Sequence, residues 1–234
     1  MKSLNLYYLF VLMVLSSCVK KGCTDSTANN YNPSAKKDNG LCTYSVTDID
    51  GNSYKGLVIG NQVWMIQKNL AVKKYRNGDL IPQVQDDSEW YNLTTGAWCY
   101  YENDPDKGIL YNWYAVNDPR GLAPDGWHIP TNTEWDELNN YLGDDAGIKM
   151  KSSYDWDEDG NTNESKFWAE PLGERLQNGF FWRYGFSTTF WSSSINYGDN
   201  FGNIFCASLM SGHDYLSVYP EGKENGFSVR CIKD

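Results

Sequence analysis

Apolar positions recur with a period of two near both ends of the chain and with a helical period once between them. Tyr54–Ile59 and Gln62–Ile66 are strand-like runs flanking Gly60-Asn61, a pair suited to a tight hairpin turn. Phe227-Ser228-Val229-Arg230-Cys231-Ile232 alternates in the same way and closes the chain. A terminal strand is most simply stable when paired inside a sheet, and the early hairpin offers a partner, so the two ends are expected to meet. Ile204–Leu209 and Tyr215–Tyr219 flank Met210-Ser211-Gly212-His213 and predict a late hairpin. One helix is well marked: Thr131 and Glu134 form a capping box, Trp135, Leu138 and Leu142 share one face, and Gly143 ends the run. A shorter helix is expected over Asp145–Met150. Residues 71–126 mix Gly, Asn, Asp, Pro and aromatics with little periodicity and predict a long irregular region. The expected architecture is one α+β domain with paired terminal strands, one or two helices and a loop-rich region.

The first residues follow a different pattern. Lys2 precedes an apolar run from Leu6 to Leu15, too short to span a bilayer but suited to the core of an export signal. Leu15-Ser16-Ser17-Cys18 is similar to the lipobox of bacterial lipoproteins, in which Cys18 would be acylated on sulfur and amine after cleavage. The expected segments are a signal peptide at 1–17, a lipid-anchored segment at 18–44 and a domain at 45–234. Several acyl chains would give firm anchoring where one would be marginal.

Composition narrows the class. The chain has 234 residues and a net charge of −10, with no Lys/Arg cluster of the kind that phosphate backbones require, so a nucleic-acid partner is not expected. Ten Trp, 17 Tyr and 9 Phe argue for an ordered fold rather than disorder. Export implies an oxidising compartment, and with two His and no C-x-x-C, disulfides are expected before zinc. Cys23 and Cys42 bracket a small polar segment and are expected to pair. Of Cys99, Cys206 and Cys231, two are expected to pair: Cys206–Cys231 links two late strands, and Cys99–Cys231 is the rival.

Asp155, Asp157, Asp159 and Asn161, with Glu164 beyond, are the sharpest polar feature. Alternate carboxylates before Gly160 can curl their oxygens round calcium. The twelfth position from Asp155 is Lys166, which excludes an EF-hand and leaves a looser calcium loop or a solvated acidic turn. No organic cofactor is expected. Trp90, Trp98, Trp156, Trp182 and Tyr197 stand in loop-like contexts and are the expected exposed ligand-binding aromatics. His128 reads as structural. Hydrolase, metalloprotease, P-loop and dinucleotide-binding motifs are absent from the sequence.

Gly22–Cys42 resembles a Cys-bounded repeat of secreted proteins from Bacteroidetes-type bacteria. A longer set of landmarks resembles the Fibrobacter succinogenes major paralogous domain family. It includes Asp50–Tyr54, Ile59–Met65, Lys68-Asn69-Leu70, Tyr75–Asp79, Leu110–Val116, Gly126–Thr131, Glu134-Trp135, Phe190–Ser194 and Gly226–Cys231. The resemblance implies an exported protein with a C-type-lectin-like fold related to sulfatase-modifying factors. It places Trp64, Trp113, Trp127, Trp135 and Trp191 in the core. Residues 163–173 depart from the usual pattern. The calcium-bridging sugar tripeptides of C-type lectins do not occur. The expected function is a non-catalytic, outer-membrane, lipid-anchored surface module binding polysaccharide or an envelope protein. A structural subunit of an outer-membrane assembly is the alternative. A formylglycine-generating type of oxidase, which would need Cys206 and Cys231 as a reactive couple, ranks third.

Overall fold

A computed structural model describes residues 19–158, 160–198 and 201–234. The expected signal peptide, Cys18 and Asp159 lie outside this span. Among the described residues no helix is long and apolar enough to cross a membrane.

The protein is sheet-rich α+β. In the Cys-bounded segment, β1 (Lys21–Gly22) and β2 (Lys37–Asp38) form a short parallel pair. Next come β3 (Thr43–Thr47), β4 (Ser53–Ile59) and β5 (Gln62–Ile66), then α1 (Asp87–Tyr91), β6 (Trp98–Tyr100), β7 (Ile109–Tyr111), α2 (Trp113–Val116) and β8 (Trp127–His128). The helices α3 (Asn132–Leu142) and α4 (Ala146–Met150) follow. The chain ends in β9 (Leu172–Arg175), β10 (Phe181–Tyr184), β11 (Ser187–Ile195), β12 (Ile204–Met210), β13 (Ser217–Glu221) and β14 (Ile232–Lys233).

Two five-stranded sheets carry the fold. One has the order β3-β4-β5-β14-β8, the other β10-β9-β11-β12-β13. The early hairpin forms as expected, with Ile59 opposite Gln62 across a turn in which Gly60 takes φ +66°. The terminal strand also finds its expected partner: Ile232 pairs with Trp64 on one side and His128 on the other. Residues just before it reach further. Gly226 bridges Arg175, Phe227 bridges Tyr111 and Ser228 bridges Phe190, so one short segment stitches both sheets and the β6–β7 ribbon together.

Helix α3 forms with both halves of its capping box. Its inner face meets a buried aromatic stack, with Trp135 4.6 Å from Trp64 and 5.7 Å from Phe190 between ring centroids. Such pairs add to the area they bury. The short helix also forms, with Asp145 as its N-cap. The late hairpin forms with a longer connection than expected, because Ser208 pairs with Ser217. Strand β11, the longest, was not expected. Its first six residues are buried, so the alternation that marks a one-sided strand is missing.

Cys23 and Cys42 are bonded. Both lie in the same buried cluster as Tyr44, Trp98 and Trp127, so this segment packs onto the domain it precedes. The second expected bridge does not form by either pairing. Cys99, Cys206 and Cys231 are free and buried. Cys206 sits mid-sheet between Trp191 and Tyr219, its thiol directed at the Tyr219 carbonyl at 3.2 Å, whereas Cys231 precedes β14 in the other sheet. Burial pushes all three thiols up, Cys99 to about 11, the reverse of what a reactive thiolate needs.

His128 fastens the end of the chain. Its Nδ1 lies 2.6 Å from the Asp234 carboxylate and its Nε2 2.9 Å from Glu134 of the capping box. Burial favours the neutral ring, but the hydrogen bonds to Asp234 and Glu134 outweigh it and raise the pKa above 6.5. A raised histidine pKa stabilises the fold fully below about 6.5 and ceases to do so as pH climbs through the folded value. The His128→Asn protein is therefore expected to lose stability relative to wild type at pH 6 and to converge with it at higher pH. For a pair this exposed the difference is about 1 kcal/mol or less. Paired melting curves across pH 5.5–8.5 check it; a constant offset would contradict it.

Candidate functional site

At the end of β5 the chain turns sharply. Gln67 takes φ +71°, and the following residues leave the sheet. Their N–H groups find single acceptors rather than a ladder: Leu70 N–H donates to the Val229 carbonyl at 2.8 Å, Ala71 N–H to the Tyr54 hydroxyl at 3.0 Å, and Lys73 N–H to the Asp50 carboxylate at 2.6 Å. Asp50 also pairs with Lys74 at 2.9 Å. Burial alone would raise its pKa, but these two partners hold it below the usual carboxylate value.

This segment walls a groove of about 800 Å³. Gln67, Lys68, Asn69 and Lys73 line one side, and Tyr100, Asp106 and Ile109 line the other. Glu170 and Leu172 also line it. Gly108, at φ +84°, permits the close wall, since a Cβ there would be strained and would meet Leu172 at 3.0 Å. The volume falls in the range of about 300–1,000 Å³ typical of ligand sites. A recess of about 310 Å³ adjoins, lined by Asp106, Asp155, Glu170, Pro171, Leu172 and Tyr184.

Arg230 supports the groove from behind. Fully buried, it stacks 4.6 Å from the Phe167 ring centre and donates to Asn69 Oδ1 at 2.5 Å and to the carbonyls of Met65, Phe167 and Trp168 at 3.1, 2.8 and 2.9 Å. Burial pushes its pKa down to about 9, so it stays charged at neutral pH. One guanidinium thereby ties Asn69 of the groove wall to the Phe167–Trp168 backbone that leads to Glu170. Trp168 in turn donates its indole N–H to Glu170 at 3.2 Å.

Three of the expected ligand-binding aromatics are core residues instead. Trp90 is 0 % exposed, donates to the Glu224 carbonyl at 2.8 Å and lies under the Arg175 guanidinium. Trp98 donates to the Ile81 carbonyl at 2.9 Å, and Trp156 to the Ala169 carbonyl at 3.0 Å. Each indole fills space under irregular backbone and satisfies a carbonyl there, which buries the ring despite its loop context. Trp182 and Tyr197 are exposed but line neither groove nor recess.

The acidic loop is not arranged as a cation cage among its described residues. Asp155, Asp157 and Glu164 are exposed and do not gather. The carboxylate that points inward is Glu158, which accepts from the Lys151 ammonium and the Gly212 N–H. Lys151 is 1 % exposed, bonds the His213 carbonyl at 2.9 Å and lies 5.0 Å from the Trp156 ring centre. A buried ammonium thus neutralises Glu158, a carboxylate outside the expected calcium set. Asp155 contributes to the recess instead. The one described cluster with metal-like spacing is Cys23, Asp38 and Cys42, whose sulfurs are already bonded to each other.

Lys68, Asn69, Tyr100, Asp106, Glu170 and Tyr184 were missed as site residues. Two signals pointed towards them: the Lys68-Asn69-Leu70 landmark, and the departure at residues 163–173, which supplies Glu170 and Leu172. Together these groups offer hydrogen-bond donors and acceptors beside two aromatic rings.

The last strand pairs with the first hairpin, and an open polar groove lies beside that seam in a sheet-rich α+β domain. The sequence profile of the Fibrobacter succinogenes major domain matches residues 57–233, and the chain belongs to that family. No curated protein and no solved structure matches it.

Proposed function

We propose that the protein is a lipid-anchored binding module of the bacterial outer membrane, held through Cys18 and displayed at the cell surface, that recognises polysaccharide in the groove beneath Tyr100. A C-type-lectin-like ancestry for the domain belongs to the same reading. The observation that carries it is the groove itself: about 800 Å³, framed by Lys68, Asn69, Asp106 and Glu170 and backed by buried Arg230. Tyr100 is held edge-on against Trp98 at 5.1 Å, so a sugar face would meet a ring already in place.

The test is a glycan array probed with the full chain in detergent. Binding to at least one polysaccharide class is expected, with Tyr100→Ala weakening it roughly tenfold, equivalent to about 1.4 kcal/mol. Silence across the array would remove the reading. The anchoring half is tested by protease shaving of intact cells and by Cys18→Ser, which is expected to release the protein from membranes; retention would contradict it. Docking to an envelope protein is the second reading. It draws on exposed Phe180 and Trp182 at the edge strand β10 and is checked by co-purification of the native protein.

A further inference from the structure

The groove and the recess share Asp106, Glu170 and Leu172, so they are two lobes of one cleft joined at a neck. Each lobe has one fixed aromatic ring. In the near lobe Tyr100 is pinned by Trp98, with Lys73 Nζ 5.4 Å from its centre. In the far lobe Tyr184 is 47 % exposed yet packs 5.0 Å from Tyr101, under Lys107 at 5.1 Å. Lys107 is itself held by Glu102 at 2.6 Å.

The lobes differ in charge. Beyond the neck, the near lobe presents Lys68 and Lys73, and its Asp50 is already engaged by Lys74. The far lobe and neck present Asp106, Asp155 and Glu170, and the Lys107 ammonium over Tyr184 is already engaged by Glu102. A chain bearing the same charge on every unit would meet like charge in one lobe, whichever its sign. An uncharged chain meets none, and its hydroxyls can donate to the carboxylates and accept from the lysines.

We infer that the cleft takes an uncharged polysaccharide strand lying through the neck, with one sugar on Tyr100 and another on Tyr184. This rests on the polysaccharide reading above and adds the charge class, the second subsite and the requirement for chain length. The experiment is calorimetric titration of the full chain in detergent with gluco-, xylo- and manno-oligosaccharide ladders, polygalacturonate and chitosan. Uncharged ligands are expected to bind tighter as they lengthen, and polygalacturonate and chitosan at least tenfold more weakly than the best of them. Tyr184→Ala is expected to abolish the gain with length, at least tenfold for the longest ligand, while leaving the shortest unchanged, and Glu170→Gln, at the neck shared by both lobes, is expected to weaken short and long ligands alike. Trp182→Ala, exposed nearby but outside both lobes, is expected to bind as wild type does. If Tyr184→Ala and Glu170→Gln behave as Trp182→Ala does, or if a charged polymer binds best, the inference is overturned while polysaccharide binding stands. If wild type binds none of these polymers, the inference and the reading beneath it both fall.

Discussion

Replacing Arg230 with methionine is expected to cost about 3–5 kcal/mol, enough to unfold a domain of ordinary stability on mild heating. Methionine matches the stem but removes the guanidinium donors of the Met65, Phe167 and Trp168 carbonyls and the Asn69 amide oxygen, although the Phe167 carbonyl keeps the Gln67 N–H at 3.1 Å. Each orphaned buried acceptor costs about 1–3 kcal/mol. Relief from burying a charge offsets part of this, since burial alone depresses the arginine pKa. The backbone carbonyls decide the sign, because those of Met65 on β5 and of Phe167 and Trp168 are fixed in place, whereas the Asn69 amide can turn towards the groove. Arg230→Lys is expected to recover little, since one ammonium cannot span the four acceptors that the planar fork reaches. Denaturant titration of both variants checks this; a loss below about 1 kcal/mol for methionine would show that the fork is dispensable.

The second large effect is an asymmetry within the Lys151–Glu158 pair. Lys151 is 1 % exposed and Glu158 about a fifth exposed. Glu158→Ala strands a buried ammonium with one carbonyl and an aromatic face, and is expected to cost about 3 kcal/mol or more. Lys151→Met leaves a carboxylate that can turn towards water and still accept from the Gly212 N–H, and is expected to cost clearly less. Glu158 itself feels burial, which raises its pKa, but Lys151 and Gly212 hold it below the usual value. Its stabilising effect is therefore present above about pH 4.5 and lost as pH falls through the lower folded value. Urea melts of the two variants at pH 7 decide the point, and equal losses would contradict it. Added calcium is expected to leave the wild-type melting temperature unchanged.

What the sequence disclosed follows from how local each signal is. The capping box of Thr131 and Glu134, the Gly60 turn and the Cys23–Cys42 spacing are short-range patterns, and each appears as expected. Pairing of the last strand with the first hairpin was also legible, because alternation at both ends left few other arrangements. Strand β11 was not, since a run buried on both faces and rich in Ser and Thr lacks the period-two signal. Exposure of Trp90, Trp98 and Trp156 was misread because a loop in sequence can be packed in space. A pairing among Cys99, Cys206 and Cys231 depended on which sheet each would enter, a long-range fact absent from spacing. Of the cleft, only Asp155 had been singled out, and for a different role. Its walls come from six stretches far apart in the chain, near residues 50, 70, 105, 155, 170 and 184.

The central claim is that this cleft, rather than the exposed loop aromatics, is where ligand binds. Hydroxyl-radical footprinting of the full chain, with and without the uncharged polysaccharide that binds it best, tests that directly. Protection concentrated at Tyr100, Leu172 and Tyr184, with Trp182 and Tyr197 as reactive as before, is the predicted outcome. Protection at Trp182 and Tyr197, with Tyr100 and Tyr184 unchanged, would place the ligand elsewhere and contradict the account.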